Sequence, residues 1–174
     1  GIDRLLCVNV TKAYGFANNA PDVDLVAALA NSTTYGGAGY PWLGAERRGI
    51  REAVLAGVPY FGVCLGSQLL ASALGGRVYL GPAPELGVSP VFLCEAARHD
   101  PVFRGLPPDL EVFEWHCDTF TLPDGATRLA RSPRYENQAF RYGEVAYAIQ
   151  CHLETALEDV QDWFAAWPSL VETF

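Results

Sequence analysis

The stretch Val58–Ser67 reads "VPYFGVCLGS", and it constrains the chain more than any other. An apolar run suited to a buried strand ends in a cysteine, with glycine two residues away on either side at Gly62 and Gly66. "GSQLLASALGG" follows, with the period of a helix and two glycines to close it. A strand that turns at once into a helix thrusts its turn residue above the sheet in strained backbone. Flanking glycines let the two elements pass without steric clash. The predicted unit is therefore strand, elbow, helix, with Cys64 at the elbow.

G-x-S-x-G builds the same elbow for a serine nucleophile. At the start of a helix, unpaired N–H groups and the macrodipole favour the thiolate form of a cysteine. The N–H of Leu65 would face an oxyanion formed by attack of the sulfur. The plainer alternative is a buried thiol in a Gly-rich turn. A nucleophile needs a base, and the chain has three histidines. His99 lies in the turn-like "ARHDP" and reads as a surface residue, and His116 lies in "EWHCDTF". His152 lies in "AIQCHLE", at the end of a buried strand, with Glu154 two residues on. Residues two apart in an extended segment face the same way, so Glu154 is placed to hold the imidazole in one tautomer. A satisfied structural histidine is the alternative. An elbow cysteine together with His-x-Glu after a strand favours catalysis.

Composition narrows the classes. Half of the 174 residues are hydrophobic, enough for one compact domain with a substantial core. The net charge of −8, from 12 Lys and Arg against 20 Asp and Glu, provides no basic face for nucleic acid. Arg47, Arg48 and Arg51 alternate with Glu46 and Glu52 at helical spacing and read as a solvated helix face. The five cysteines are odd in number and form no C-x-x-C pair, so neither a zinc site nor a disulfide framework is expected. Cys7 and Cys94 read as small buried hydrophobes. No metal and no cofactor are expected. No run is long and apolar enough to span a bilayer, and no secretory signal opens the chain, so a cytoplasmic location is expected. The absence of methionine fits a processed or trimmed chain.

Along the chain, "RLLCVNV" and "DVDLVAALA" read as strands, "NSTTYGGAGYP" as a loop and "WLGAERRGIREAVLAG" as a helix. After the elbow unit come short strands: "RVYLG", "GVSPVFL", "LEVFEWH", "TRLARS", "QAFRY" and "VAYAIQCH". A final helix covers "ALEDVQDWFAAW". This order predicts an α/β sheet, partly parallel, with an antiparallel extension. The segment Thr11–Asp22 shows no helical pattern to serve the first crossover.

"GVCLGSQLLASALGG", "EWHCDTF", "NQAFRYG" and "AIQCHLE" together resemble the class I glutamine amidotransferases, most nearly the stand-alone domains similar to the glutaminase part of GMP synthase. The resemblance runs from about Asp24 to Glu158. It implies a single domain over residues 1–174, shortened at its N-terminal end, with a flavodoxin-like three-layer α/β sandwich and a mostly parallel central sheet. It implies Cys64 as nucleophile, His152 as base and then acid, Glu154 as its partner, and Leu65 N–H as an oxyanion donor. Gln68 matches a position that helps hold glutamine, and Trp115, His116 and Cys117 match a segment that receives its amino-acid end. The implied reaction is hydrolysis of the glutamine side-chain amide through a cysteinyl thioester, with a separate synthase chain as ammonia acceptor. The alternatives are a hydrolase of another γ-glutamyl or amide substrate and a silent partner-binding domain. Two departures bear on the site. The family's "QFHPE" is here "QCHLE", with Cys151 and Leu153 in place of Phe and Pro. Its Gly-Gly-Pro oxyanion loop is replaced by Ala30-Asn31-Ser32, with glycines only at Gly36, Gly37 and Gly39.

Overall fold

The computed structural model describes residues 6–9 and 41–166. The strand expected over 22–30, the connection Thr11–Asp22 and the loop at residues 30–39 lie outside the described residues. In chain order the elements are β1 (Leu6–Asn9), α1 (Pro41–Leu55), β2 (Tyr60–Val63), α2 (Leu65–Ala73), β3 (Val78–Leu93), a 3-10 turn (Glu95–His99), β4 (Asp109–Phe120), β5 (Ala126–Arg131), β6 (Ala139–Tyr142), β7 (Ala146–Ile149) and α3 (Leu157–Ala166). None of the described helices is long and apolar enough to cross a membrane.

The described strands form one sheet in the order β1-β2-β7-β6-β5-β3-β4. β2 is parallel to both of its neighbours, β1 and β7. Every pairing from β7 outward to β4 is antiparallel. The expected antiparallel extension is present and is the larger part, so the described sheet is mixed rather than mostly parallel.

Burial explains which strands sit at the centre. On β7, Ala146 and Ala148 pack into a cluster with Leu69, Leu70 and Phe140. Tyr147 and Ile149 pack into a second cluster with Val63, Phe103 and Leu129. Successive side chains point to opposite faces, so this strand is covered on both sides, as its unbroken apolar run requires. α2 is almost wholly buried, with Leu70 and Ala71 at 0% exposure.

Two sequence expectations are corrected. "RVYLG" and "GVSPVFL" are not separate strands. They belong to the single 16-residue β3, whose register with β4 shifts between Leu80 and Glu85. Pro82 and Pro84 occupy that shift; proline cannot donate to a ladder, so pairing breaks while the chain keeps its direction. The arginines of α1 are not all solvated. Arg47 donates to Ser72 O at 3.2 Å and Arg51 to Ala73 O at 3.3 Å, satisfying carbonyls at the C-terminal end of α2 where the dipole favours cations. Arg48 and Arg51 are exposed, as expected, while Arg47 is half-buried.

Candidate active site

β2 and β7 are adjacent and parallel, with Val63 opposite Ile149, so both end at one level of the sheet. Cys64 follows the first end and His152 comes three residues after the second. The N–H of Cys64 extends the ladder by donating to Ile149 O at 2.9 Å. Ligands of open α/β sheets bind outside this carboxyl edge of parallel strands.

The elbow is as the sequence suggested. Cys64 has φ 52° and ψ −110°, and is the one non-glycine residue with positive φ among the described residues. Such backbone costs about 1–3 kcal/mol. A Cβ on Gly62 would stand 2.6 Å from the carbonyl carbon and oxygen of Gly66, so only glycine lets strand and helix approach this closely. The Cys64 carbonyl accepts from Ser67 Oγ at 2.6 Å and from the N–H groups of Ser67 at 2.9 Å and Gln68 at 3.3 Å. The two earlier N–H groups, of Leu65 and Gly66, open the helix with no helical carbonyl behind them. The Cys64 sulfur lies 4.0 Å from Trp115 O.

His152 is fixed on two sides. Its N–H donates to Phe113 O at 2.8 Å. Its Nδ1 lies 2.8 Å from Glu154 Oε1, while Glu154 Oε2 accepts from the Leu153 N–H at 3.0 Å. A proton on Nδ1 leaves Nε2 for the sulfur. Burial pulls the His152 pKa down, but hydrogen bonds to Cys64 and Glu154 outweigh it and push it to about 10. The indole of Trp163, on α3, meets the imidazole edge to face with centroids 5.2 Å apart. His152 is 5% exposed, and Trp163 covers one edge of its ring.

The "EWHCD" segment lies on β4 and splits by strand alternation. Glu114, His116 and Asp118 fall on a buried face, and Phe113 and Trp115 on the other. Trp115 contacts Trp163 at 5.7 Å and Phe164 at 5.3 Å, beside the sulfur, and Cys117 falls on the same side. The His116 ring is committed elsewhere. Nδ1 lies 2.9 Å from Asp118 O, and Nε2 lies 3.1 Å from Glu85 Oε2 and 3.4 Å from Glu114 Oε2. Both nitrogens face acceptors, so the ring is an imidazolium. Burial opposes that charge, yet Glu114 and Glu85 push the His116 pKa to about 9. Ser132 Oγ at 2.7 Å and Gln138 Nε2 at 2.6 Å also donate to Glu85. Burial pushes the Glu114 carboxyl up, and pushes Asp118 to about 6. Glu85, Glu114 and His116 have the spacing to hold a cation, their ligating atoms lying within 4.8 Å of one another. In the arrangement present, protons and hydrogen bonds already bridge Glu85 and His116. Only backbone of His116 is left to meet a substrate. His99, as expected, is a surface residue, paired with Glu95 at 3.9 Å.

Gln68 is 3% exposed. Its Nε2 donates to Asp118 O at 3.4 Å and to Gln150 Oε1 at 3.2 Å. Gln150, absent from the sequence candidates, is wholly buried, and its Nε2 lies 3.6 Å from the Cys64 sulfur. No local signal marked it, since residues 150 and 151 bend rather than continue β7. Trp163 carried no signal either, since an aromatic on an amphipathic helix reads as core.

Comparison with known proteins places the chain in a family. Residues 30–164 match the profile of "Glutamine amidotransferase class-I", a span that contains Cys64, His152 and Glu154. The glutamine amidotransferase-like protein YfeJ of Salmonella typhimurium is 40% identical over 117 residues, covering 67% of this chain and 49% of YfeJ. The glutamine-hydrolyzing GMP synthase subunit of Pyrococcus abyssi is 38% identical over 101 residues, covering 57% of this chain and 52% of that protein. The chain thus spans about half the length of the curated relatives it matches. A crystal structure of a glutamine amidotransferase from Thermotoga maritima superposes with a TM-score of 0.69 at 40% identity, covering 77% of this chain and 57% of that one. By its matched span and its relatives, this chain belongs to the class I glutamine amidotransferase family.

Proposed function

We propose that the chain hydrolyses the side-chain amide of glutamine, with Cys64 as nucleophile, His152 as proton carrier and Glu154 as its orienting partner. The observation that carries this reading is the His152 ring, held on Nδ1 by Glu154 at 2.8 Å and close enough to the elbow cysteine for Cys64 to help raise its pKa. In the first step the sulfur, paired with the His152 imidazolium, attacks the amide carbon, and a C–S bond forms. The oxyanion is met by the N–H of Leu65. His152 gives its Nε2 proton to the amide nitrogen, the C–N bond breaks and ammonia leaves. Water then attacks the thioester as His152 takes its proton. The C–S bond breaks, glutamate departs, and the thiolate–imidazolium pair is restored. Trp115 and Cys117 border the substrate's position.

The relatives named as GMP synthase subunits support a separate synthase chain as acceptor of the ammonia. The reading also carries the three-layer, flavodoxin-like arrangement of the family and a cytoplasmic setting. The test is labelling with a diazo-ketone analogue of glutamine, alongside ammonia release from glutamine and from a panel of γ-glutamyl amides. The wild type should be modified at Cys64 and should release ammonia from glutamine, and Cys64→Ala should do neither. A folded wild type that neither labels nor turns over sinks the proposal.

A further inference from the structure

Two buried amides stand behind the Cys64 sulfur, and the proposed reaction as written gives them no part. Which end of each amide faces which neighbour is decided by the backbone. Asp118 O is a carbonyl and only accepts, so the Gln68 atom 3.4 Å from it is the donor Nε2. That nitrogen has a second hydrogen to give and lies 3.2 Å from Gln150, which must present its acceptor Oε1 there. The Gln150 Nε2 is thereby turned toward the sulfur, at 3.6 Å. One carbonyl on β4 sets both flips in turn.

The location makes this donor consequential. The sulfur's residue is 8% exposed, and Gln150 and Gln68 are 0% and 3% exposed. Water therefore has little access to solvate a charge on sulfur, and each protein donor counts for more than it would in solvent. Leucine or methionine would fill the same volume without burying an amide.

We infer that Gln150 is a further catalytic residue of this site, donating an N–H to the Cys64 sulfur and holding its negative charge, and that Gln68 is a positioning residue that aims Gln150. The inference rests on Cys64 being the nucleophile. This role uses only the Gln68 Nε2 and leaves its unpartnered oxygen for the contact with glutamine that the family resemblance implies.

The test reads the thiol directly. Wild type, Gln150→Met, Gln150→Glu and Gln68→Met are alkylated with iodoacetamide at pH 6 and pH 9, and the rate at Cys64 is followed by mass spectrometry of its peptide. A hydrogen bond to a charged group corresponds to roughly a tenfold effect or more. Gln150→Met should react about tenfold more slowly at pH 6 and nearly normally at pH 9. Gln150→Glu, buried and therefore neutral at pH 6, keeps an O–H for the sulfur and should react faster than Gln150→Met there. A packing role predicts losses that do not depend on pH. Gln68→Met, which leaves Gln150 in place, should slow the reaction about threefold, on the order of a weakened rather than a lost bond. Equal rates across all four proteins, equal losses at both pH values, or Glu slower than Met at pH 6 would overturn the inference. The readout needs no glutamine. Gln150-dependent alkylation in a protein inert to glutamine retires the amidotransferase reading alone, and glutamine turnover with Gln150-independent alkylation retires this inference alone.

Discussion

Two buried histidines are each held by glutamate, in two different ways. His152 has a single carboxylate, Glu154, whose side chain is 29% exposed, and its second nitrogen is turned to a thiol. His116 has two carboxylates, Glu85 and Glu114, and a backbone carbonyl, and it is enclosed by side chains no more than 4% exposed. Asp118 O joins them, accepting from His116 Nδ1 at 2.9 Å and from Gln68 Nε2 at 3.4 Å, which leads to Gln150 and the sulfur. The difference teaches what makes a His–Glu pair useful. A ring with one nitrogen free to face a reacting atom moves a proton. A ring with both nitrogens occupied holds strands together.

The comparison breaks most readily at His152. His152→Asn should lower glutamine turnover by about 10²–10⁴-fold. His116→Asn should lower it far less and act mainly on stability. It leaves the Glu85 carboxylate buried without its partner, so urea unfolding should report a loss of about 3–5 kcal/mol. An equal fall in turnover in both variants, with both folded, would mean that the two histidines had been given the wrong roles.

The pH dependence of stability sharpens the contrast. The folded-state pKa of His116 is about 9, above the ordinary value of 6.5. Its contribution is therefore fully present below about pH 6.5 and is lost as pH rises through 9. The shift corresponds to about 3 kcal/mol. His152, at about 10, extends the same trend upward. Asp118, raised by burial to about 6, sheds its share between pH 3.8 and 6. Unfolding free energies across pH 6–10 should fall in the wild type and fall less in His116→Asn. An unchanged slope in that variant would remove the imidazolium from the buried cluster. The smallest effect is expected at Trp163. Its edge contact with His152 and its contacts with Phe113 and Trp115 suggest that Trp163→Leu costs about 1 kcal/mol of stability. A loss several times larger would show α3 to be a part of the core rather than a cover on the site.

Local pattern carried much of this. Gly62, Cys64 and Gly66 specify an elbow because steric exclusion acts between near neighbours, and the Cβ that Gly62 lacks would strike Gly66. His152 and Glu154 lie two residues apart, near enough for their 2.8 Å bond to form within the segment itself. The alternation of β4 was equally readable, and it would have separated His116 from Trp115 and Cys117. The single long β3 was not readable, since Pro82 and Pro84 read locally as a stop. Only pairing with β4 across the gap decides otherwise.

The sequence by itself determined that a thiol would stand at a strained turn and that an imidazole would have a carboxylate beside it, because each depends on contacts a few residues long. Tertiary structure alone decided that these two meet, through the parallel pairing of β2 with β7, strands separated by more than eighty residues of chain. It alone decided that Gln150 faces the sulfur and that His116 closes on Glu85, for the polarity of a buried side chain depends on which distant groups enclose it.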